Sequence, residues 1–145
     1  MYTLEEIAAL RQKCIELQLD GREILDKYSD PELQTICNGI GPDWFPDKIR
    51  KIVSNVHSTL QPVAVIHDVE WWEAEGDYEH FYWTNKRFEM NGYRCARAEY
   101  AWYDPRRYIN MWRAIRLARC CHWGGWMAYQ HCFNERKKRE AKSDG

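Results

Sequence analysis

Gln61-Pro62-Val63-Ala64-Val65-Ile66-His67-Asp68-Val69-Glu70-Trp71 is the stretch on which the reading of the chain turns. Pro62 fits the first turn of a helix and little else in an apolar run, so a helix is predicted from there to about Glu75. Its lead-in, Val63 to Ile66, is apolar, which places this part of the helix in a core. A charged Asp68 at its edge is then costly without a partner. His67 and Asp68 point about 100° apart on a helix, so they do not bond to each other as a dyad, but they can flank one cavity. An imidazole is the natural base near neutral pH, and a carboxylate beside it suits a hard cation. The competing reading is a chance dipeptide on a solvated face.

Working outward, the chain before this helix is broken by Gly39, Gly41, Pro42 and Pro46, which reads as a loop able to present backbone carbonyls. Asp47 to Leu60 has the apolar spacing of an amphipathic helix. At the N-terminus, Thr3 and Glu6 form a capping box, and Leu4, Ile7, Ala8, Cys14, Ile15 and Leu19 recur at helical spacing until Asp20-Gly21 stops them. A short helix is expected over Glu23 to Lys27, and another opening at Asp30-Pro31. Beyond the break at Gly76-Asp77, Tyr78 to Met90 is again helical, with Phe81, Asn85 and Phe88 on adjacent turns. Strand signals are weak, the best of them at Tyr93 to Tyr100.

The last element is predicted to be one long basic helix over residues 104–139, opened by Asp104-Pro105. Met111, Ala114, Ala118, Cys121, Gly125, Ala128 and Cys132 share one narrow face of small residues that lets a second helix approach closely. Trp112, Trp123 and Trp126 lie on another side, and Gly124-Gly125 is a point where the helix can kink or split. With 145 residues and 45% hydrophobic content, a single domain over residues 1–145, mainly α, is expected.

The charge is uneven. There are 11 Lys/Arg against 19 Asp/Glu up to residue 105, and 10 against 3 after it. The basic end either complements the acidic remainder or meets phosphates, and with no nucleic-acid motif a specific nucleic-acid partner is not expected. The first residues lack the basic and apolar regions of a signal peptide, and no apolar run is long enough for a membrane span. The six cysteines are therefore expected as reduced thiols, in a cytoplasmic or virion-associated protein. Cys120-Cys121-His122 with His131-Cys132 offers zinc ligand types, but three helical turns separate Cys121 from Cys132, and core packing is the simpler reading. No nucleophile elbow, P-loop or dinucleotide fingerprint occurs.

The run from Val63 to Trp71 resembles the active-site helix of the phospholipase A2 superfamily, patterned C-x-x-x-H-D-x-x-Y. Cys37-Asn38-Gly39-Ile40-Gly41-Pro42 resembles that family's calcium loop, as in its compact bacterial and phage-borne members. Asn85-Lys86-Arg87-Phe88-Glu89-Met90 resembles the following helix, patterned D-x-x-F-x-x-M. The three segments stand in the family's order, and the resemblance covers residues 36–92. It implies a phospholipase A2-like helical core in which His67 activates a water. Asp68, with backbone groups of Asn38, Gly39 and Gly41, would hold Ca2+, and Asn85 would orient the imidazole. The metal would polarise an ester carbonyl and steady the oxyanion. Val63 replaces a disulfide cysteine. Trp71 replaces a tyrosine hydroxyl in the shell around the histidine. Asn85 replaces an aspartate, so it can accept the imidazole N–H without stabilising an imidazolium by charge.

Two functions follow as expectations. One is a calcium-dependent lipid-ester hydrolase acting on phospholipid or another lipid ester, settled on its surface by aromatics such as Trp44, Phe45, Trp71 and Trp72. The other is a non-catalytic protein-binding module on the same scaffold, a phage structural component or a host-directed inhibitor. Its small-residue stripe would be free to pair with a partner helix or a second copy.

Overall fold

Local capping chemistry sets where most of the helices begin. A computed structural model describes residues 2–37 and 54–145. Helix α1 (Leu4–Glu16) opens on the expected box: Glu6 N–H donates to Thr3 Oγ1, and Thr3 N–H to the Glu6 carboxylate. It stops earlier than Asp20-Gly21, because Gln18 turns to a positive φ of 50°. A 3-10 helix (Arg22–Lys27) follows, then α2 (Asp30–Ile36), capped by Ser29 with Glu32 and not by Asp30. Residues 54–56 are helical and Ser58–Leu60 form a 3-10 turn, so the helix expected up to Leu60 does not reach it; the residues of that segment before Ser54 lie outside the described ones.

Helix α3 (Gln61–Trp72) carries the opening motif, with Pro62 in its first turn. It is buried around most of its circumference, from Pro62 to His67 and again at Val69 and Glu70. A helix apolar on all sides belongs in the middle of a fold. Accordingly α1, α2, both 3-10 segments, α4 and the last helix all pack against it. The principal core gathers Val63, Val65, Ile66 and Val69 with Ile7, Leu19, Leu25, Leu33, Leu60 and Phe88. The Cys14 and Cys37 thiols donate to carbonyls of α3, Pro62 at 3.3 Å and Val65 at 3.8 Å.

Helix α4 (Tyr78–Glu99) is capped by Asp77, whose side chain accepts from His80 N–H. It runs straight through the Tyr93–Tyr100 stretch where a strand was expected, because Gly92, Cys95 and Ala96 continue its buried face. Asp104 caps α5 (Pro105–Gly124), which is followed by α6 (Trp126–Ser143). The expected long C-terminal helix is thus divided at Gly125. The chain is mainly α, and no strand occurs among the described residues.

The small-residue stripe is used inside the chain. Ala114, Ala118 and Gly125 are buried, and α5 lies so close to α4 that a Cβ on Gly92 would sit 2.4 Å from the Ala114 Cβ. Ala128 is exposed, whereas Cys132, half-buried, packs against the second cluster. A second, smaller cluster of Ala74, Phe81 and Tyr129, with Trp71 and Phe133, ties α6 to the α3–α4 turn. Among the described residues no helix is long and apolar enough to cross a membrane.

Candidate functional site

His67 follows the apolar run Val63–Ile66 on α3, and α4 packs beside it. The imidazole Nε2 lies 2.9 Å from Asn85 Oδ1, and both side chains are buried. With the amide oxygen as acceptor, Nε2 carries the proton and Nδ1 keeps a lone pair. The ring is held between two aromatics, with Trp71 tilted at 4.8 Å and Phe88 edge-on at 5.4 Å between centroids. Trp71 is itself anchored: its indole N–H donates to Thr84 Oγ1 at 3.0 Å, and that hydroxyl donates to Phe81 O. The indole N–H has thus found a hydroxyl partner on the next helix.

Burial dominates the electrostatics. Desolvation lowers the His67 pKa to about 4, while the bond from Asn85 pulls the other way. The imidazole is therefore neutral at pH 7, able to accept a proton but a weak base. Among the described residues, the Asn85 Nδ2 amide is buried with no hydrogen-bond partner. An unmade bond of this kind is costly, so Asn85 is not placed here for stability alone.

Asp68 looks another way. Its charge raises the pKa values of Tyr2, Cys37 and Cys121, although burial is the larger cause for each. It therefore lies near the point where the N-terminus, the end of α2 and α5 converge. Asn38, Gly39 and Gly41 lie outside the described residues, as do Trp44 and Phe45. Among the described residues no group of three His, Cys, Asp or Glu side chains is arranged to hold a metal. Of the expected calcium ligands, Asp68 is the one that lies among the described residues.

The zinc ligand types are dispersed in packing. His122 stacks on Phe81 and bonds Tyr78, and all six cysteines are free thiols. Burial pushes the Cys14, Cys95 and Cys121 thiols up to about 12, which keeps them protonated near neutral pH. Trp71 and Trp72 are half-buried, not the surface aromatics expected of them. Asn85, the residue the resemblance sets beside the imidazole, does reach the histidine.

Two features escaped the reading of the sequence. Glu70, buried one turn after His67, is paired with Arg87, which also holds Asp20. A charge inside an apolar helix needs such a cation, so the signal was present in Glu70 itself. The second is a cleft of about 310 Å³ at the C-terminal end of α3, lined by Lys27, Tyr28, Trp72, Glu73, Arg136, Arg139 and Glu140. Its charges are engaged with one another, Lys27 with Glu73 and Arg136 with Glu140, so it is a joint between elements. Comparisons with protein-family models, with curated proteins and with solved structures gave no match.

Proposed function

We propose that this chain is a phospholipase A2-like lipid-ester hydrolase, or a degenerate relative of one, with His67 as its base. The observation that carries the reading is the Nε2–Asn85 bond, which leaves Nδ1 as the free basic nitrogen on a helix whose next residue is a carboxylate. In this mechanism Nδ1 takes a proton from water as the water oxygen bonds to the ester carbonyl carbon. The C–O bond to the alcohol then breaks, and the proton passes from the imidazolium to the departing alkoxide. Bound calcium, held by Asp68 and carbonyls of Asn38, Gly39 and Gly41, would supply Lewis-acid polarisation of that carbonyl. Asn85 fixes the tautomer and the ring direction. It adds no negative charge, and an Asp to Asn change at the equivalent position of a serine-protease triad costs about four orders of magnitude in rate.

Turnover is therefore expected to be slow, and Asn85→Asp is expected to raise it by on the order of a hundredfold or more, through charge stabilisation of the imidazolium. The test is fatty-acid release from phospholipid vesicles with calcium, by the wild type, Asn85→Asp and His67→Ala. Release that rises in the first variant and vanishes in the second supports the reading. No release by either the wild type or Asn85→Asp at any calcium level overturns it.

The burial of His67, at 7% exposure between two aromatic rings, favours a second reading, a protein-binding module that keeps the scaffold without the turnover. Calorimetric titration with calcium separates the two. Heat that is lost in Asp68→Asn belongs to the hydrolase reading, and its absence to the binding module.

A further inference from the structure

Helix α5 turns its largest apolar side chains away from the core, with Leu117 packed against it. Its buried face is small, Asn110, Ala114 and Ala118, whereas the opposite face carries Ile109, Trp112, Trp123 and, across the break, Met127. Their exposures are 46%, 55%, 78% and 83%. Steps of three and four residues place them on one line, with Arg116 and Arg119 between them. The helical phase carries through the division, since Gly125 N–H donates to Cys121 O at 2.9 Å and Tyr129 N–H to Gly125 O at 2.8 Å. Scattered exposed hydrophobics need no explanation, but a continuous row of this length does.

Charge narrows the occupant. From Pro105 to Asn134 the chain has five arginines and not one Asp or Glu. Arg116 lies over the Trp112 ring at 4.7 Å, so cation and aromatic are presented together. A second copy of the same face would set arginine against arginine. A fluid anionic surface accepts such a row, taking indole and thioether groups at the level of its headgroups while arginines meet phosphate.

We propose that the outer face of α5, continued by Met127, docks this protein in the plane of an anionic lipid surface. No part of this docking involves His67, so it stands or falls apart from the hydrolase reading. The test is co-sedimentation with phosphatidylcholine vesicles and with vesicles also containing phosphatidylglycerol, at low and high salt. Binding is expected on the anionic vesicles and is expected to weaken with salt. The double variants Trp112→Ala with Trp123→Ala, and Arg116→Glu with Arg119→Glu, are each expected to lower it by at least about tenfold. All four residues are exposed, and an unchanged far-UV circular dichroism spectrum verifies that the variants fold. Anionic-vesicle binding that neither pair reduces, or no binding at all, overturns the proposal. So does a dimer in sedimentation velocity that the tryptophan pair abolishes, which would make a second copy the occupant.

Discussion

At His67 two effects oppose each other, and their sizes decide how the protein responds to acid. Burial disfavours the imidazolium, the Asn85 bond favours it, and burial wins, leaving the folded-state pKa near 4 against an ordinary 6.5. Between those values the unfolded chain binds a proton that the folded one refuses. The contribution of His67 is therefore fully present above pH 6.5 and is lost as the pH falls towards 4, amounting to about 3 kcal/mol in total. Urea unfolding at a series of pH values should show this decline in the wild type and a flatter profile between pH 6.5 and 4 in His67→Gln. Equal slopes in the two proteins would place the titrating group elsewhere. The pair itself was expected only through the phospholipase A2 resemblance, which sets Asn85 where an imidazole is oriented; helical spacing alone does not bring α4 to His67. The aromatic box was not legible, since it depends on Trp71 finding Thr84, and a hydroxyl–indole bond between helices leaves no periodic trace.

Among the elements, α4 and α5 form the most intimate pair, and Gly92 is the reason. Replacing it with alanine offers about 1 kcal/mol of helix propensity. The new Cβ, however, would lie 2.4 Å from that of Ala114, a methyl fixed to the opposing backbone and unable to rotate away. Overpacking of this kind costs about 1–3 kcal/mol, so the clash outweighs the propensity. Gly92→Ala should be destabilising by about 1 kcal/mol in a denaturant titration, and a gain in stability would mean that the two helices part freely. The small stripe of α5 was readable as a close-packing face from its spacing alone. Its partner was not, because spacing identifies a face without saying which helix covers it. The strand signal at Tyr93–Tyr100 failed for a related reason. Local preference there is overridden by burial of Cys95 and Ala96 on the helical phase already set from Phe81 onwards.

For the whole molecule, the decisive arrangement is the way the last helix closes the end of the helix that carries His67. The final carbonyls of α3 and the turn after it would be orphaned at a helix end. Glu73 and Ala74 N–H meet Val69 O and Trp71 O, and helix α6 takes several of the rest: Arg139 donates to Trp72 O, Arg136 to Glu73 O, and Gln130 to Gly76 O, while Glu75 and Gly76 N–H donate to Tyr129 Oη. The same Tyr129 ring packs on Trp71, whose indole edge passes so near Gly125 that a Cβ there would lie 2.7 Å from it. The roof over the imidazole is thus held from the far end of the chain. Tyr129→Phe keeps the ring and removes the hydroxyl, leaving the Glu75 and Gly76 backbone donors and His80 Nδ1 without their shared partner, at a cost of about 1–3 kcal/mol. The loss should be local. Amide exchange at Glu75 and Gly76 should accelerate well beyond any change at Val65 in the principal core, because the smaller cluster opens as its own unit. With Trp71 loosened and water admitted, the His67 pKa should also rise from about 4 towards its ordinary value, which a histidine NMR titration reads directly. Uniform acceleration across the chain, or a His67 titration unmoved in the variant, would show that α6 does not govern the site.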